Sequence, residues 1–394
     1  MFRIGNPKKV LNIRGGLGMR KICAKFQITT PMFLGGADNT KKAELRPTSV
    51  KGVLRFWFRA VNYGKYQDYE KVKKVEDELF GSTTSQSKFY LKLGTQKIKS
   101  ETEQSKCKKL FESGISYLGY GLYDEIEIIE NGKKTTKKFH RLYLIPGQTF
   151  TVELLINPKY QDKLDVEDLI KPIKALGLFG GLGSRSRRGF GSVTLDSIYV
   201  DDQEYWVAPK TRNDLKKAFA DFYSSLELNK NIPEYTTYSK NNRTIMIEEF
   251  DNYKKALKYV GETMMNFRKN YGEDADIVSN YLKKENVDKH PERVVFGLPH
   301  NYMVEGQDVE INAVIGTRRS SPLFIKIISI KGNNGIKYIP VMTVFPSKFL
   351  PEGSKISLEG KGKEGIELEP KVSFDLIHKF MDTFPNRLEV RPLD

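Results

Sequence analysis

An α+β fold, with antiparallel sheets carrying helices on one face, is what this sequence predicts. Three observations lead to it. A strand near the N-terminus alternates cleanly, a helix opens on a proline, and the order over residues 1–200 is β-α-β-β-α-β once a polar insertion is set aside. That order is the ferredoxin-like pattern, shared with RRM-like domains. With 394 residues the expectation is two domains, each long enough for its own core. The first is placed at 1–200, with a polar insertion near 95–138, and the second at 201–394, with a helical insertion.

The elements follow in order. Over 20–30, Ile22, Ala24, Phe26 and Ile28 face one way while Cys23, Lys25, Gln27 and Thr29 face the other, the mark of a half-buried strand. Pro47 opens a helix where its missing N–H does no harm. Val50, Val53, Leu54, Trp57 and Val61 form its apolar stripe. A second helix over 68–80 is strongly charged and reads as solvent-facing. Strands are predicted at 88–93, 140–145 and 148–156, the last two joined by a Pro146-Gly147 turn. Asp165 caps a helix over 166–179, in which Pro172 predicts a kink or a later start. A strand over 192–200 completes the set. In the insertion, Asn131-Gly132 marks a hairpin tip.

Asp201-Asp202 is the expected boundary. Beyond it, helices are predicted at 213–228, 252–271 and 274–284, with a polar connection over 229–243. Strands are predicted at 293–296 and 323–330, and Asn333-Asn334-Gly335 turns the chain into a strand over 336–345. A helix near 374–384 closes the chain. This half fits a second ferredoxin-like unit with a helical insertion, although its strand count is less defined.

The balance of 65 Lys+Arg against 49 Asp+Glu gives +16, which points to a polyanionic partner, nucleic acid or an anionic membrane surface. No apolar run is long enough to span a bilayer, and the first residues lack the apolar core of a signal peptide. Cys23 and Cys107 lie far apart without histidine neighbours, which fits a reducing cytoplasm rather than a disulfide framework or a zinc knuckle. Residues 1–18 show no period and read as a loose arm, with Met19 an alternative start.

The densest signal is Leu176-Gly-Leu-Phe-Gly-Gly-Leu-Gly-Ser-Arg-Ser-Arg-Arg-Gly-Phe-Gly-Ser192. Gly180, Gly181, Gly183, Gly189 and Gly191 allow positive φ and close approach of the backbone to a ligand. Arg185, Arg187 and Arg188 supply forked donors that match phosphate, and no acid occurs from Leu176 to Leu195. The stretch reads as a clamp for a nucleic-acid backbone, against the plainer reading of an αβ connection with solvated arginines.

Lys51, Arg55 and Arg59 recur every four residues, Arg46 precedes them, and no acid lies between Arg46 and Ala60. Arg46, Lys51 and Arg55 are candidate phosphate contacts; Arg59 is read as a solvated residue and Trp57 as core. Arg318 and Arg319, in Thr317-Arg-Arg-Ser-Ser-Pro-Leu323, lie just before a strand and form a third basic candidate. Arg188-Gly-Phe-Gly matches the start of an RRM octamer, but Ser192 stands where a stacking aromatic belongs, so Phe190 is not assigned to stacking.

Catalytic constellations are poor. His140, His290, His300 and His378 form no paired motif, and Asp38 reads as a turn former. No phosphate-binding loop, dinucleotide fingerprint or metal-ligand spacing is present, so no cofactor or metal is expected.

Ile28-Thr-Thr-Pro-Met-Phe-Leu-Gly-Gly-Ala37, followed by Arg46-Pro-Thr-Ser-Val-Lys-Gly-Val-Leu-Arg-Phe-Trp-Phe-Arg59, resembles the N-terminal signature of the first-subunit family of the Cmr complex. That complex is the type III-B CRISPR effector built from RAMP proteins. The glycine-rich loop resembles the superfamily's G-rich loop, and Phe296-Gly-Leu-Pro with Arg318-Arg-Ser-Ser-Pro-Leu resembles the family's C-terminal signature. The long polar insertion and residues 1–18 fall outside the resemblance. It implies two packed ferredoxin-like domains and RNA binding without catalysis, at the end of the complex that holds the 3′ part of the guide RNA. It also implies contact with target RNA and the other Cmr subunits, in antiviral defence. By position it carries over Lys51, Arg55, Arg185, Arg187, Arg188, Arg318 and Arg319. Two alternatives remain: an endoribonuclease of the same superfamily that processes CRISPR RNA, with His140 as base, and a free-standing RNA-binding protein.

Overall fold

β1 (Lys21–Ile28) lies inside the first sheet, flanked on both sides by antiparallel strands, and Ile22, Ala24, Phe26 and Ile28 on its inner face are fully buried. The computed structural model describes residues 19–36, 38, 41–94, 97–130, 133–269, 272–316, 318–332 and 335–392. The arm 1–18 and the tips Asn131-Gly132 and Asn333-Asn334 lie outside them, although the strands on either side of both tips pair.

α1 (Pro47–Tyr66) starts on its proline and buries Val50, Leu54, Trp57 and Val61. α2 (Tyr69–Phe80) is capped by Asp68, whose carboxylate accepts from the Lys71 N–H. β2 (Phe89–Leu93) forms a sheet edge. The insertion then builds β3 (Ser100–Glu101), α3 (Gln104–Lys109), α4 (Ile115–Leu118), the hairpin β4 (Tyr123–Glu130) and β5 (Lys133–His140), and β6 (Tyr143–Leu144). The strand expected over 140–145 is therefore divided: β5 ends at His140, and β6 pairs with β3 outside the main sheet. β7 (Thr149–Ile156), α5 (Glu167–Phe179), β8 (Val193–Val200) and β9 (Gln203–Val207) complete this part. α5 continues through the buried Pro172, which forfeits one intrahelical bond close to the helix start.

The first sheet has the order β2-β7-β1-β8-β9. Its first four strands, in the chain order β1-α1-β2-β7-α5-β8, make a ferredoxin-like unit. The Asp201-Asp202 pair is not a boundary but the turn of the β8–β9 hairpin, with φ of 50° and 64°. Asp201 accepts from the Lys21 N–H at 2.8 Å and so ties that turn to β1.

α6 (Arg212–Ser224) begins with a capping box from Thr211 and Asp214. β10 (Arg243–Met246), α7 (Tyr253–Lys269), α8 (Glu273–Leu282), β11 (His300–Val304), β12 (Gln307–Ala313), β13 (Leu323–Gly332), β14 (Gly335–Val344), β15 (Ile356–Gly360), β16 (Ile366–Leu368), α9 (Asp375–Asp382) and β17 (Leu388–Val390) follow. The sheet β13-β14-β10-β17 repeats the ferredoxin-like arrangement, with β10-α7-β13-β14-α9-β17 as its chain order. The inserted material is more than helical. β11, β12, β15 and β16 form a third antiparallel sheet whose apolar cluster includes Val278, Tyr281, Ile311 and Leu358. Residues 293–296, expected as a strand, belong to a 3-10 turn, Glu292–Phe296.

The two ferredoxin-like sheets meet along β8 and β13. The Ile327 N–H donates to Ser192 Oγ at 3.1 Å and the Ser329 N–H to Thr194 Oγ1 at 3.0 Å. One continuous apolar core runs through both, with Trp57, Phe179, Phe324 and Phe345 in it. No helix among the described residues is long and apolar enough to cross a membrane.

Candidate nucleic-acid interface

The G-rich loop lies between the end of α5 and β8. Gly183 and Gly191 have φ of +88° and +58°, and a Cβ at Gly191 would lie 1.9 Å from the Leu182 carbonyl oxygen. Gly180 and Gly181 are not in the positive-φ region; they are needed for closeness, since a Cβ on Gly180 would meet the Trp57 indole nitrogen at 2.5 Å. Phe190 is fully buried, in ring contact with Phe33 and Phe111.

This loop is a joint as well as a loop. The Gly189 N–H donates to the Ile325 carbonyl at 2.9 Å, and the Ile325 N–H donates to the Arg187 carbonyl at 3.0 Å. Beside it, Lys326 is buried in β13, and its ammonium donates to the carbonyls of Leu176, Gly180 and Val193 at 2.9, 2.6 and 2.6 Å. Three acceptors match the three donors of an ammonium, while burial pushes its pKa down. Both ends of the loop are thus pinned to the second half.

Arg187 lies over Phe324, 4.4 Å from its ring centre, and donates to the Ser321 carbonyl at 3.1 Å. Burial, with Arg319 nearby, pushes its pKa down to about 10. Arg188 donates to Met264 Sδ at 3.2 Å and to the Phe296 carbonyl at 3.3 Å; burial and then Arg268 bring it to about 10 as well. Arg319 donates to Ser347 Oγ at 2.7 Å and lies over Phe349, and its backbone pairs with Leu298. Arg268 lies between Tyr117 and Phe296 and donates to His300, whose own pKa burial and Arg268 push far down. Among the described residues, none of these four arginines has a carboxylate partner. Arg187 and Arg188 remain protonated at neutral pH, and the four side chains are held by carbonyls, rings, a hydroxyl, an imidazole and a thioether. A partly desolvated cation without a counter-charge is costly, and a phosphate oxygen supplies what is missing.

Arg185 and Arg318 are exposed at the edge of this seam. Burial, then Arg141 and Arg318, lower the pKa of Arg185, whereas Arg141 itself is paired with Asp124 at 2.8 Å. The loop arginines and the 318–319 pair, 130 residues apart in sequence, therefore converge.

The α1 stripe is different. Arg55 donates to Asp77 Oδ1 and the Gly81 carbonyl, both at 2.7 Å, and also to Glu76. Arg59 donates to both Glu76 oxygens at 2.8 Å. Glu76 is fully buried, so α2 is not simply solvent-facing, and the guanidinium of Arg55, a candidate phosphate contact, is already occupied. No acid lies near Arg55 in α1 itself, but α2 brings two. Lys51 lies over Phe89 at 5.6 Å, its pKa lowered by burial and then Arg55, and Arg46 is exposed at the N-cap of α1.

His140 stacks on Phe111 at 5.6 Å; burial, then Lys108 and Lys138, push its pKa down. Its electrostatic neighbours are thus cations rather than an orienting carboxylate. No group of His, Cys, Asp or Glu that could hold a metal ion occurs among the described residues. Sequence reasoning missed Arg268, which carries no motif, and Lys326, whose one signal is a lysine set between the apolar residues Leu323–Ile325 and Ile327-Ile328.

The RAMP superfamily profile matches residues 25–194, which span the first ferredoxin-like unit from β1 into β8. CRISPR system Cmr subunit Cmr1-1 of Pyrococcus furiosus is 28% identical over 323 residues, covering 78% of this chain and 82% of its own. Cmr subunit Cmr1-2 of the same organism is 29% identical over 181 residues, covering 44% of this chain and 94% of its own. The crystal structure of apo Cmr1 from P. furiosus superposes with a TM-score of 0.51 at 19% identity, over 94% of this chain and 98% of that one, and so shares the fold. Sequence relatives and fold agree along both halves: residues 25–194 match the RAMP superfamily, and the chain is similar to the Cmr1 subunits of P. furiosus in sequence and in fold.

Proposed function

We propose that this chain is a non-catalytic RNA-binding subunit of a type III-B Cmr effector. In this reading it sits with the other Cmr subunits at the 3′ part of the guide RNA and helps to capture target RNA. Two ferredoxin-like domains meet at the arginine seam, and the seam holds the RNA backbone. One observation carries the reading: Arg187, Arg188, Arg268 and Arg319 are partly buried without a carboxylate partner among the described residues. Single-stranded RNA supplies phosphates at a spacing that a row of arginines can follow, with little sequence preference. The net charge of +16 favours the same partner. Kinship with the Cmr1 subunits of P. furiosus supports the CRISPR context.

The test uses the exposed arginines, which can be removed without opening the core. The double variant Arg185→Ala/Arg318→Ala is expected to keep its melting temperature and to bind single-stranded RNA more weakly. The log–log salt slope should become shallower by about 1.4, because each phosphate contact on a single strand contributes about 0.7. An unchanged slope removes both residues from the interface. RNA cleavage by the parent protein that is abolished by His140→Ala would replace this reading with the endoribonuclease one.

A further inference from the structure

A second feature lies next to the seam. Phe56 and Tyr63 from α1, Tyr69 from α2 and Tyr235 from the connection before β10 line a cleft of about 290 Å³, together with Thr237 and Arg319. The Tyr69 and Tyr235 rings are 4.7 Å apart, and Tyr63 meets Tyr235 nearly edge-on at 6.3 Å. Tyr235 is 45% exposed, so its ring is open to a ligand. Thr237 is only 2% exposed, and its hydroxyl has no hydrogen-bond partner among the described residues. The Arg319 Nε is likewise buried without one. Native proteins satisfy nearly all such groups, so two orphans in one cleft ask for a partner from outside.

The cleft is continuous with the arginine seam. Phe56 lines it and also lies 5.7 Å from the Arg187 guanidinium, and Arg319 belongs to both. Its volume is at the small end of the range of about 300–1,000 Å³ typical of ligand pockets. That suits one planar ring system rather than two.

We infer that the cleft receives the base of one unpaired RNA nucleotide whose phosphate is held at the seam. This rests on the RNA reading above and deepens it. The tyrosine rings give stacking surfaces, which accept any base. The Thr237 hydroxyl gives a donor and acceptor for the base edge, and Glu234 at the rim, paired with Lys348 at 3.8 Å, adds an acceptor. Arg319 stands between base and phosphate. A strand bound this way has a fixed point in register, which phosphate contacts alone do not provide.

The experiment measures full-length protein against a fluorescent single-stranded RNA and against a strand of equal length and charge with abasic sites throughout. Parent protein should bind the base-bearing strand more tightly. Tyr235→Ala should weaken that binding by about five- to a hundred-fold, the usual worth of one stacked base. It should leave the abasic strand and the salt slope unchanged. Thr237→Val, which removes the hydroxyl at constant shape, should weaken base-bearing RNA several-fold while the melting temperature holds or rises. Equal losses on both strands, or unchanged affinity of Tyr235→Ala for the base-bearing strand, overturn the cleft but leave the seam standing if the salt slope persists. Parent protein that binds neither strand overturns both readings.

Discussion

Arg55 and Arg59 on α1 face Glu76, a fully buried carboxylate of α2, whereas Arg187, Arg188 and Arg319 at the seam face rings, carbonyl oxygens, a hydroxyl and a thioether. In the sequence the two clusters look alike: arginines at regular or dense spacing with no acid among them. In the fold one is neutralised and the other, among the described residues, is not. The neutralised cluster holds two helices together. The other keeps its charge, with its cations partly stripped of water. Clustered arginines therefore mark an anion site only where the fold brings no acid to meet them.

The largest expected effect tests the neutralised side. Glu76→Gln leaves Arg55 and Arg59 without their main acceptor. Breaking a buried ion pair costs about 3–5 kcal/mol, and since both arginines keep some exposure the loss should be nearer about 2–3 kcal/mol. Urea unfolding measures it. The freed arginines should also steepen the salt slope of RNA binding. A variant as stable as the parent would mean that the α1–α2 pairing is ornamental and that the contrast between the clusters is false.

Lys326→Met tests the link between the halves. It takes one donor from each of three carbonyls, of which that of Leu176 keeps the Gly180 N–H, and each buried acceptor left unsatisfied costs about 1–3 kcal/mol before relaxation. A net loss of about 1–3 kcal/mol is expected, with faster hydrogen exchange at Gly189 and Ile325, whose N–H groups bridge the joint. Exchange that speeds up elsewhere but not at those two amides would show that Lys326 does not hold the loop.

Arg187→Ala gives the smallest change in stability. It removes a cation from over Phe324 but also relieves a desolvated charge, so stability should move by less than about 1 kcal/mol. RNA affinity should nonetheless drop by roughly ten-fold, as for one charge-assisted hydrogen bond. Arg55→Ala should do the reverse, costing more in unfolding free energy and less in RNA affinity. If both variants behave alike, the seam and the α1 stripe are one kind of surface.

Much of the fold is legible in the residues themselves. The alternation of β1, the Pro47 helix start, the apolar stripe of α1, the helices α6, α7 and α8 and the strands of the β13–β14 hairpin are properties of contiguous segments. The ferredoxin-like order of the first half follows from them. The third sheet does not, because its strands come from two insertions on either side of β13 and β14 and only meet in space. The β8–β9 turn was equally hidden, since paired aspartates suit a linker as well as a hairpin.

What the sequence determined by itself is the set of elements, the positive charge and the basic, glycine-rich segment between α5 and β8. What only the tertiary structure decided is which of those charges are spent. Arg55 meets its acids 21 and 22 residues away, Arg187 and Arg188 meet none among the described residues, Lys326 finds its carbonyls 133 to 150 residues away, and Tyr235 joins aromatics from two helices. Helical and strand periods arise from local geometry that a short stretch of chain dictates. The state of a charge depends on every group packed around it, and those groups are assembled by the core rather than by their neighbours in sequence.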